Sequence, residues 1–160
     1  MAIGQQDWNC VSEELSDVGE AFAFFTEVGI LHQLSTNILA KTLPDGVHPS
    51  HFSIINHLVR TSDSVSPAQI TSAMQVTKTT MSHSLKVLVE RNYISTKPDP
   101  NDGRGKVVVL TQSGRDFHKD AIEKVTRAVA SIIGPEQRQQ MRGVRSDLEL
   151  LRRHLDNNRL

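Results

Sequence analysis

Residues 66–111 read SPAQITSAMQVTKTTMSHSLKVLVERNYISTKPDPNDGRGKVVVLT. The stretch predicts two helices joined by a short turn and followed by a β-hairpin with a charged tip. A helix with one apolar side and one side of small hydrogen-bond donors suits the DNA major groove, and an arginine-bearing hairpin suits the neighbouring minor groove. The combination indicates a winged helix-turn-helix and sequence-specific DNA binding.

The first helix of this stretch is expected to begin at Pro67. Ser66 can cap it, and Gln69 stands where a capping box requires a side chain that reaches back to the cap. Its predicted apolar positions are Ala68, Ile70, Ala73 and Met74. Gln75 and Val76 are expected to connect it to the next helix.

The second helix is expected to follow Thr77, a candidate N-cap with Thr80 three residues later. Met81, Leu85 and Leu88 recur at spacings of four and three, so they are expected to form one buried stripe. The opposite stripe offers cations, hydroxyls and an imidazole to phosphates and base edges: Lys78, Thr79, Ser82, His83 and Lys86. The predicted DNA-binding set also includes Ser66, Thr77 and Thr80. Taken alone, the pattern fits an ordinary amphipathic surface helix equally well.

The hairpin is predicted from two strands, Tyr93–Lys97 and Lys106–Leu110, with a long turn of residues 98–105 between them. In the turn, Asp102 precedes Arg104 by two residues. Its carboxylate can hold the guanidinium and lower the entropy lost when Arg104 enters a groove. Lys97, Asp102, Arg104 and Lys106 complete the predicted DNA-binding set. The alternative for the hairpin by itself is a solvated turn with incidental charges.

These residues together resemble the multiple antibiotic resistance regulator (MarR) family. Family members have a recognition helix, similar to residues 77–85, and then a wing of the pattern Asp-x-Arg, aliphatic residues and Leu-Thr-x-x-Gly. The chain has Asp102-Gly103-Arg104 and, after Lys106 and three valines, Leu110-Thr111-Gln112-Ser113-Gly114. The resemblance implies a homodimeric repressor of a near-palindromic double-stranded DNA operator, with a small aromatic or phenolic effector. Family wings often read Asp-Arg-Arg, so Gly103 removes a cation and is expected to weaken the wing's affinity.

Long helices are expected on both sides of this region. The first runs from about Ser12 to about Leu43, the next starts near Pro49, and a third begins after Thr111 and ends before Gly134. The predicted apolar positions of the second are Phe52, Ile55, Leu58 and Val59. Those of the third are Phe117, Ala121, Val125, Ala128 and Ile132.

The last helix carries a two-heptad apolar seam formed by Met141, Val144, Leu148, Leu151 and Leu155. The resemblance implies that this seam and Leu15, Val18 and Phe22 of the first helix interlock two copies into a homodimer. A self-contained helical bundle is the alternative. In a dimer, two recognition helices would read half-sites centred ~10 base pairs apart.

Composition and charge agree with this interpretation. The 160 residues suffice for one hydrophobic core, and the expected fold is mainly α with a small β-hairpin. The expected regions are an N-terminal arm and dimerisation helix (1–46), a winged helix-turn-helix (47–111) and C-terminal dimerisation helices (112–160). The formal net charge is +0. Residues 1–59 hold one Lys/Arg and seven Asp/Glu, whereas residues 60–106 hold seven and four, so the predicted DNA-reading segment is cationic.

Other functions have less support in the sequence. The sequence has no apolar run of ~20 residues and no signal pattern at its start, so the chain is not expected to contact a membrane. With a single cysteine, it is expected to be cytoplasmic. Cys10 raises the alternative of a thiol-based peroxide sensor, although it is expected to precede the first helix. No metal-ligand cluster, nucleophile motif or phosphate-binding loop is present, so neither cofactor nor enzymatic activity is expected. A winged-helix protein-interaction module is the rival from another class.

Overall fold

The computed structural model describes residues 5–61, 64–100 and 102–158; for residues 5–17, 103 and 104 it describes the backbone alone. In this part of the chain the order is α1 (Gln5–Ala40), α2 (Pro49–Thr61), β1 (Ser64–Val65), α3 (Pro67–Met74), α4 (Lys78–Glu90), β2 (Ile94–Asp99), β3 (Asp102–Leu110), α5 (Gln112–Ala130) and α6 (Pro135–Asn157). The architecture agrees with the predicted class, a winged helix-turn-helix between long helices.

The starts of α3 and α4 have the caps that the sequence predicts. Ser66 Oγ accepts from the Gln69 N–H at 3.2 Å, and Gln69 Oε1 accepts from the Ser66 N–H at 2.9 Å, which completes the capping box. Thr77 Oγ1 accepts from the Thr80 N–H at 3.2 Å. Each such cap contributes about 1 kcal/mol, so both helix starts are fixed by local hydrogen bonds. Gln75, with φ 52°, adopts the left-handed conformation that reverses the chain between the two helices.

The three strands form one antiparallel sheet in the order β1-β3-β2. The predicted turn over residues 98–105 is wrong, because β2 continues to Asp99 and β3 already begins at Asp102. Pro98 is tolerated because β2 is an edge strand, where an absent N–H need not interrupt the ladder. The short strand β1 was not predicted; Ser64 and Val65 pair with Val109 and Val108.

The hydrophobic core joins α2, α3, α4, the sheet and the first half of α5. Its most deeply buried side chains are Ile55, Leu58, Ile70, Leu88, Ile94 and Val108. Burial of each such aliphatic side chain contributes about 1.5–3 kcal/mol, so this cluster provides much of the stability of the helix-turn-helix. The predicted stripe of Met81, Leu85 and Leu88 on α4 is buried in it.

Three predicted apolar positions are wrong. Val59 is exposed, and Ile54 takes the core position on α2 instead. Ala68 is exposed in the first turn of α3. Ile132 is also exposed and lies outside α5, which ends at Ala130. Spacing predicts which residues share a helix face, but the neighbouring elements decide how far that face is covered.

The predicted ends of the first helix are wrong as well. Helix α1 stops at Ala40, where the Thr42 N–H donates to the Leu39 carbonyl in a tighter turn. At its other end α1 begins at Gln5, so Cys10 lies within the helix and not before it. Residues 5–11 contain neither proline nor glycine, and nothing local interrupts the helix there. The side chain of Cys10 lies outside the described residues.

Helices α1 and α6 leave many apolar side chains exposed in the single chain. Phe22 of α1 is 75% exposed and Val18 is 67% exposed. The predicted seam of α6 is exposed along its whole length: Met141, Val144, Leu148, Leu151 and Leu155. The side chain of Leu15 lies outside the described residues. Within the described part of the chain, no helix has the length and apolarity needed to span a membrane.

Candidate nucleic-acid interface

Helix α4 has two chemically distinct sides. Met81, Leu85 and Leu88 anchor one side in the core. The other side is solvent-exposed and carries five predicted contact residues: Lys78, Thr79, Ser82, His83 and Lys86. Because the buried stripe fixes the rotation of the helix, these cations, hydroxyls and imidazole are held on one outward surface. Such a surface can donate hydrogen bonds to phosphates and base edges.

The ammonium group of Lys86 lies 3.8 Å from Glu90 on the same helix, and both side chains are exposed. An exposed pair of this kind contributes at most about 1 kcal/mol. Lys86 can therefore exchange Glu90 for a phosphate oxygen at little cost. Lys86 is therefore better suited to contact the DNA phosphate backbone than to recognise a base.

The helix starts place the remaining hydroxyls of the predicted set. Ser66 caps α3, and Thr77 caps α4. Thr80 Oγ1 lies 2.9 Å from Thr77 Oγ1, so the two hydroxyls share a hydrogen bond at the start of α4. All three side chains are thus tied to helix N-termini, whose backbone N–H groups and dipoles favour anions.

The wing is the β2–β3 hairpin. Lys97 and Lys106 are exposed, on neighbouring strands; in the register Lys106 pairs with Pro98 and Lys97 with Val107. Asp102 is exposed at the start of β3. The backbone of residue 104 belongs to β3, but the Arg104 side chain lies outside the described residues. Orientation of Arg104 by Asp102 therefore stays a prediction.

A family model of the MarR family matches residues 45–105, which contain α2, α3, α4, β1, β2 and the start of β3. This segment is a MarR-family domain. No curated protein sequence matches the chain significantly.

Solved structures show the same fold at low sequence identity. Wild-type MarR from Escherichia coli, in its apo form, has a TM-score of 0.67 at 16% identity, covering 77% of this chain and 94% of that chain. The MarR family transcriptional regulator Sco3205 from Streptomyces coelicolor, solved in complex with DNA, has a TM-score of 0.58 at 17% identity, covering 82% and 86%. BpsR from Bordetella bronchiseptica, described with a mechanism for regulation of DNA binding by 6-hydroxynicotinic acid, has a TM-score of 0.57 at 21% identity, covering 77% and 98%. These similarities confirm the predicted fold class.

A cavity of about 400 Å³ lies behind the outward face of α4, between α1, α2, α3 and α4. Its apolar wall consists of Leu39, Pro49, Ile54, Met74, Val76 and Met81. Its polar lining consists of His32, Thr36, Ser50, Ser53, Thr80 and Ser84. Three of these residues, Thr80, Met81 and Ser84, belong to α4, so the cavity adjoins the helix that presents the candidate DNA contacts.

Two side chains of the MarR-family domain were missed by the sequence reasoning. A guanidinium N–H of Arg91, just after α4, donates to the Asp45 carbonyl and ties the end of α4 to the α1–α2 loop. The loop is tight there: Gly46 has φ +74°, and a Cβ atom at this position would lie 2.7 Å from the Arg91 guanidinium. Ser84 is buried on the core side of α4 although its sequence type suggests an exposed position. No local pattern could reveal either, since the partners lie on distant elements.

Proposed function

We propose that the chain is a homodimeric transcription regulator that binds a near-palindromic double-stranded operator and represses transcription until a small effector releases it. The observation that carries the proposal is the two-sided α4, anchored in the core and outwardly polar, beside a hairpin that exposes Lys97 and Lys106. DNA complexes of relatives such as Sco3205 support the same use of the fold. Repression rests on the family resemblance alone.

Within this proposal, α4 enters the major groove and the wing lies along the adjacent minor groove. Thr79, Ser82 and His83 are proposed to contact base edges because they are short, exposed and rich in donors. Lys78 and Lys86 are proposed to contact phosphates, together with the capped helix starts at Ser66 and Thr77. Lys97, Arg104 and Lys106 supply positive charge along the wing.

The dimer is proposed from the exposed apolar faces of α1 and α6. Each of these helices exposes at least six large apolar side chains among the described residues, and grouped exposed apolar side chains often mark a protein interface. The seam of α6 repeats at heptad spacing, which is typical of helices that pack against another helix. A second copy that covers these faces would present two copies of α4 to one face of the duplex, and the operator would mirror the twofold symmetry.

The effector site is proposed to be the cavity behind α4. A ligand there would touch Thr80, whose hydroxyl is bonded to the N-cap residue Thr77. It would also contact α1, a proposed dimerisation helix. Binding could thus change the position of α4 relative to its copy in the dimer, and the equilibrium would shift toward whichever arrangement binds ligand better. The regulation of BpsR by 6-hydroxynicotinic acid is a precedent for control by a small molecule, not for the charge of the ligand.

The test is selection of bound duplexes from a random pool, followed by titration of the recovered site. Replacing Thr79, Ser82 and His83 together by alanine should cost ~1–3 kcal/mol for each base contact removed and relax the sequence preference. Lys86→Ala should weaken all duplexes alike. Lys119→Ala on the exposed face of α5 is the matched cation control and should change neither property.

Two outcomes would reject the proposal. A triple variant with unchanged operator affinity would mean that α4 is not the reading helix. Recovery of no preferred duplex, together with stable and stoichiometric capture of one protein partner, would instead identify a winged-helix interaction module.

A further inference from the structure

The cavity behind α4 is free of formal charge. Twelve described residues line it, and none of them is lysine, arginine, aspartate or glutamate. Its polar groups are five hydroxyls and one imidazole, that of the exposed His32. A volume of about 400 Å³ lies within the range of sites that bind small ligands.

Ser84 is the most deeply placed polar group of this lining. The residue is 7% exposed, and its neighbours on α4 include the core residues Met81, Leu85 and Leu88. Among the described residues, no hydrogen bond of the Ser84 hydroxyl is found. Because the hydroxyl opens onto the cavity, it is available to a bound molecule as both a hydrogen-bond donor and an acceptor.

We propose that this cavity selects an uncharged, flat molecule that hydrogen-bonds to the Ser84 hydroxyl, and that it discriminates against carboxylates. The inference rests on the proposed function, because it assigns a chemical class to the effector. An aromatic or heterocyclic ring suits the apolar wall, and an amide, carbonyl or neutral hydroxyl group suits Ser84. A carboxylate that bound in the cavity would lose hydrating water without gaining a cationic partner, and a buried unpaired charge is strongly disfavoured.

The selectivity has a structural consequence for α4. A molecule bonded to Ser84 lies one helical turn from Thr80, which shares its hydroxyl hydrogen bond with Thr77 at the start of the helix. The bound molecule therefore contacts the buried side of α4, away from the exposed Thr79, Ser82 and His83. Occupancy and the position of the recognition helix are coupled through that one element.

The experiment compares benzamide with benzoate, which match in size and differ in charge. Binding is measured by calorimetry and ligand-observed NMR on the full chain without DNA, at pH 8, where ordinary histidine side chains are neutral. Benzamide should bind on the order of tenfold more tightly than benzoate. Equal binding, tighter binding of benzoate, or no binding of either would overturn the proposal.

Three variants locate the effect. Ser84→Ala should weaken benzamide about three- to tenfold, as expected for one lost hydrogen bond, and it retains the helix because alanine is the best helix former. Ser35→Ala, on an exposed turn of α1 outside the lining, is the matched hydroxyl control and should leave benzamide binding unchanged. Ser53→Arg, which adds a cation at the exposed lip of the cavity, should reverse the preference toward benzoate.

These outcomes are separate from the test of DNA binding. Loss of benzamide binding in both Ser84→Ala and Ser35→Ala, or no reversal in Ser53→Arg, would place the ligand elsewhere and overturn the inference. Failure to recover any preferred duplex would overturn the proposed function, while the benzamide and benzoate measurements would still decide the ligand class.

Discussion

Gly114 is expected to tolerate no side chain, although it lies in the first turn of a helix, where alanine is normally favourable. A Cβ atom there would lie 2.1 Å from the Tyr93 carbonyl oxygen and 2.8 Å from Leu110 Cδ1. A carbon and a carbonyl oxygen normally stay about 3.3 Å apart, so the substitution requires a shift of about 1 Å. The atom that must move is backbone, and it cannot rotate away.

That carbonyl also joins the wing to α5. It accepts from the Thr111 N–H at 3.1 Å and from Thr111 Oγ1 at 2.9 Å, while Thr111 Oγ1 accepts from the Gly114 N–H at 3.0 Å. Weakening the two bonds to Tyr93 costs about 0.5–1.5 kcal/mol each, and overpacking costs about 1–3 kcal/mol. Gly114→Ala should therefore lower the unfolding free energy by about 2–6 kcal/mol.

Urea denaturation followed by circular dichroism, at several protein concentrations, measures this loss. For a chain of this length it corresponds to a fall in Tm of about 5–20 °C. Gly143→Ala is the matched control, because that glycine also lies within a helix and a Cβ atom there meets nothing within 4 Å. The control should be neutral or stabilised by up to about 1 kcal/mol. Gly114→Ala within 0.5 kcal/mol of the wild type, about the limit of such a comparison, would refute the steric reasoning.

Three further predictions follow from the seam, the wing and the buried histidine. The double change Leu148→Asp and Leu151→Asp places charges in the proposed α6 contact, so light scattering should show monomer or aggregate; a well-folded dimer would contradict the assignment. Arg104→Ala should lower the salt slope of operator binding by about one and flatten the preference for A·T-rich flanks. If the variant keeps both the salt slope and the flank preference, the hairpin is a structural turn and not a DNA-binding wing. Burial, followed by the charges of neighbouring His48, His83 and Arg91, lowers the pKa of His51, whose Nδ1 accepts from the His48 N–H. The stability that neutral His51 contributes is complete above pH 6.5 and is lost as the pH falls toward its lowered pKa. His51→Asn should therefore flatten the fall in unfolding free energy between pH 7.5 and pH 5.5. An unchanged pH dependence of the unfolding free energy would exclude His51 as the source of that fall.

Local sequence signals are enough to predict the helix-turn-helix and the side of α4 that faces outward. Caps such as Ser66 with Gln69 and Thr77 with Thr80 act over three residues, and the stripe of Met81, Leu85 and Leu88 follows from the helical period. Such signals are local, so they can be read without knowing what the helix packs against. The existence of a hairpin was also predicted, because a glycine- and proline-rich stretch separates two β-branched runs.

Features that depend on distant partners could not be predicted from local signals and are known from the folded structure alone. The two-residue strand β1 is too short for any sequence pattern and exists because β3 offers it a free edge. Pairing of β2 with β3 extends the wing past Pro98, where local propensity favours a turn. The requirement for glycine at position 114 arises from the Tyr93 carbonyl, and the burial of Ser84 arises from the helices around the cavity. Each of these is a contact between elements far apart in the chain, and only the folded packing of helices against the sheet brings such groups together.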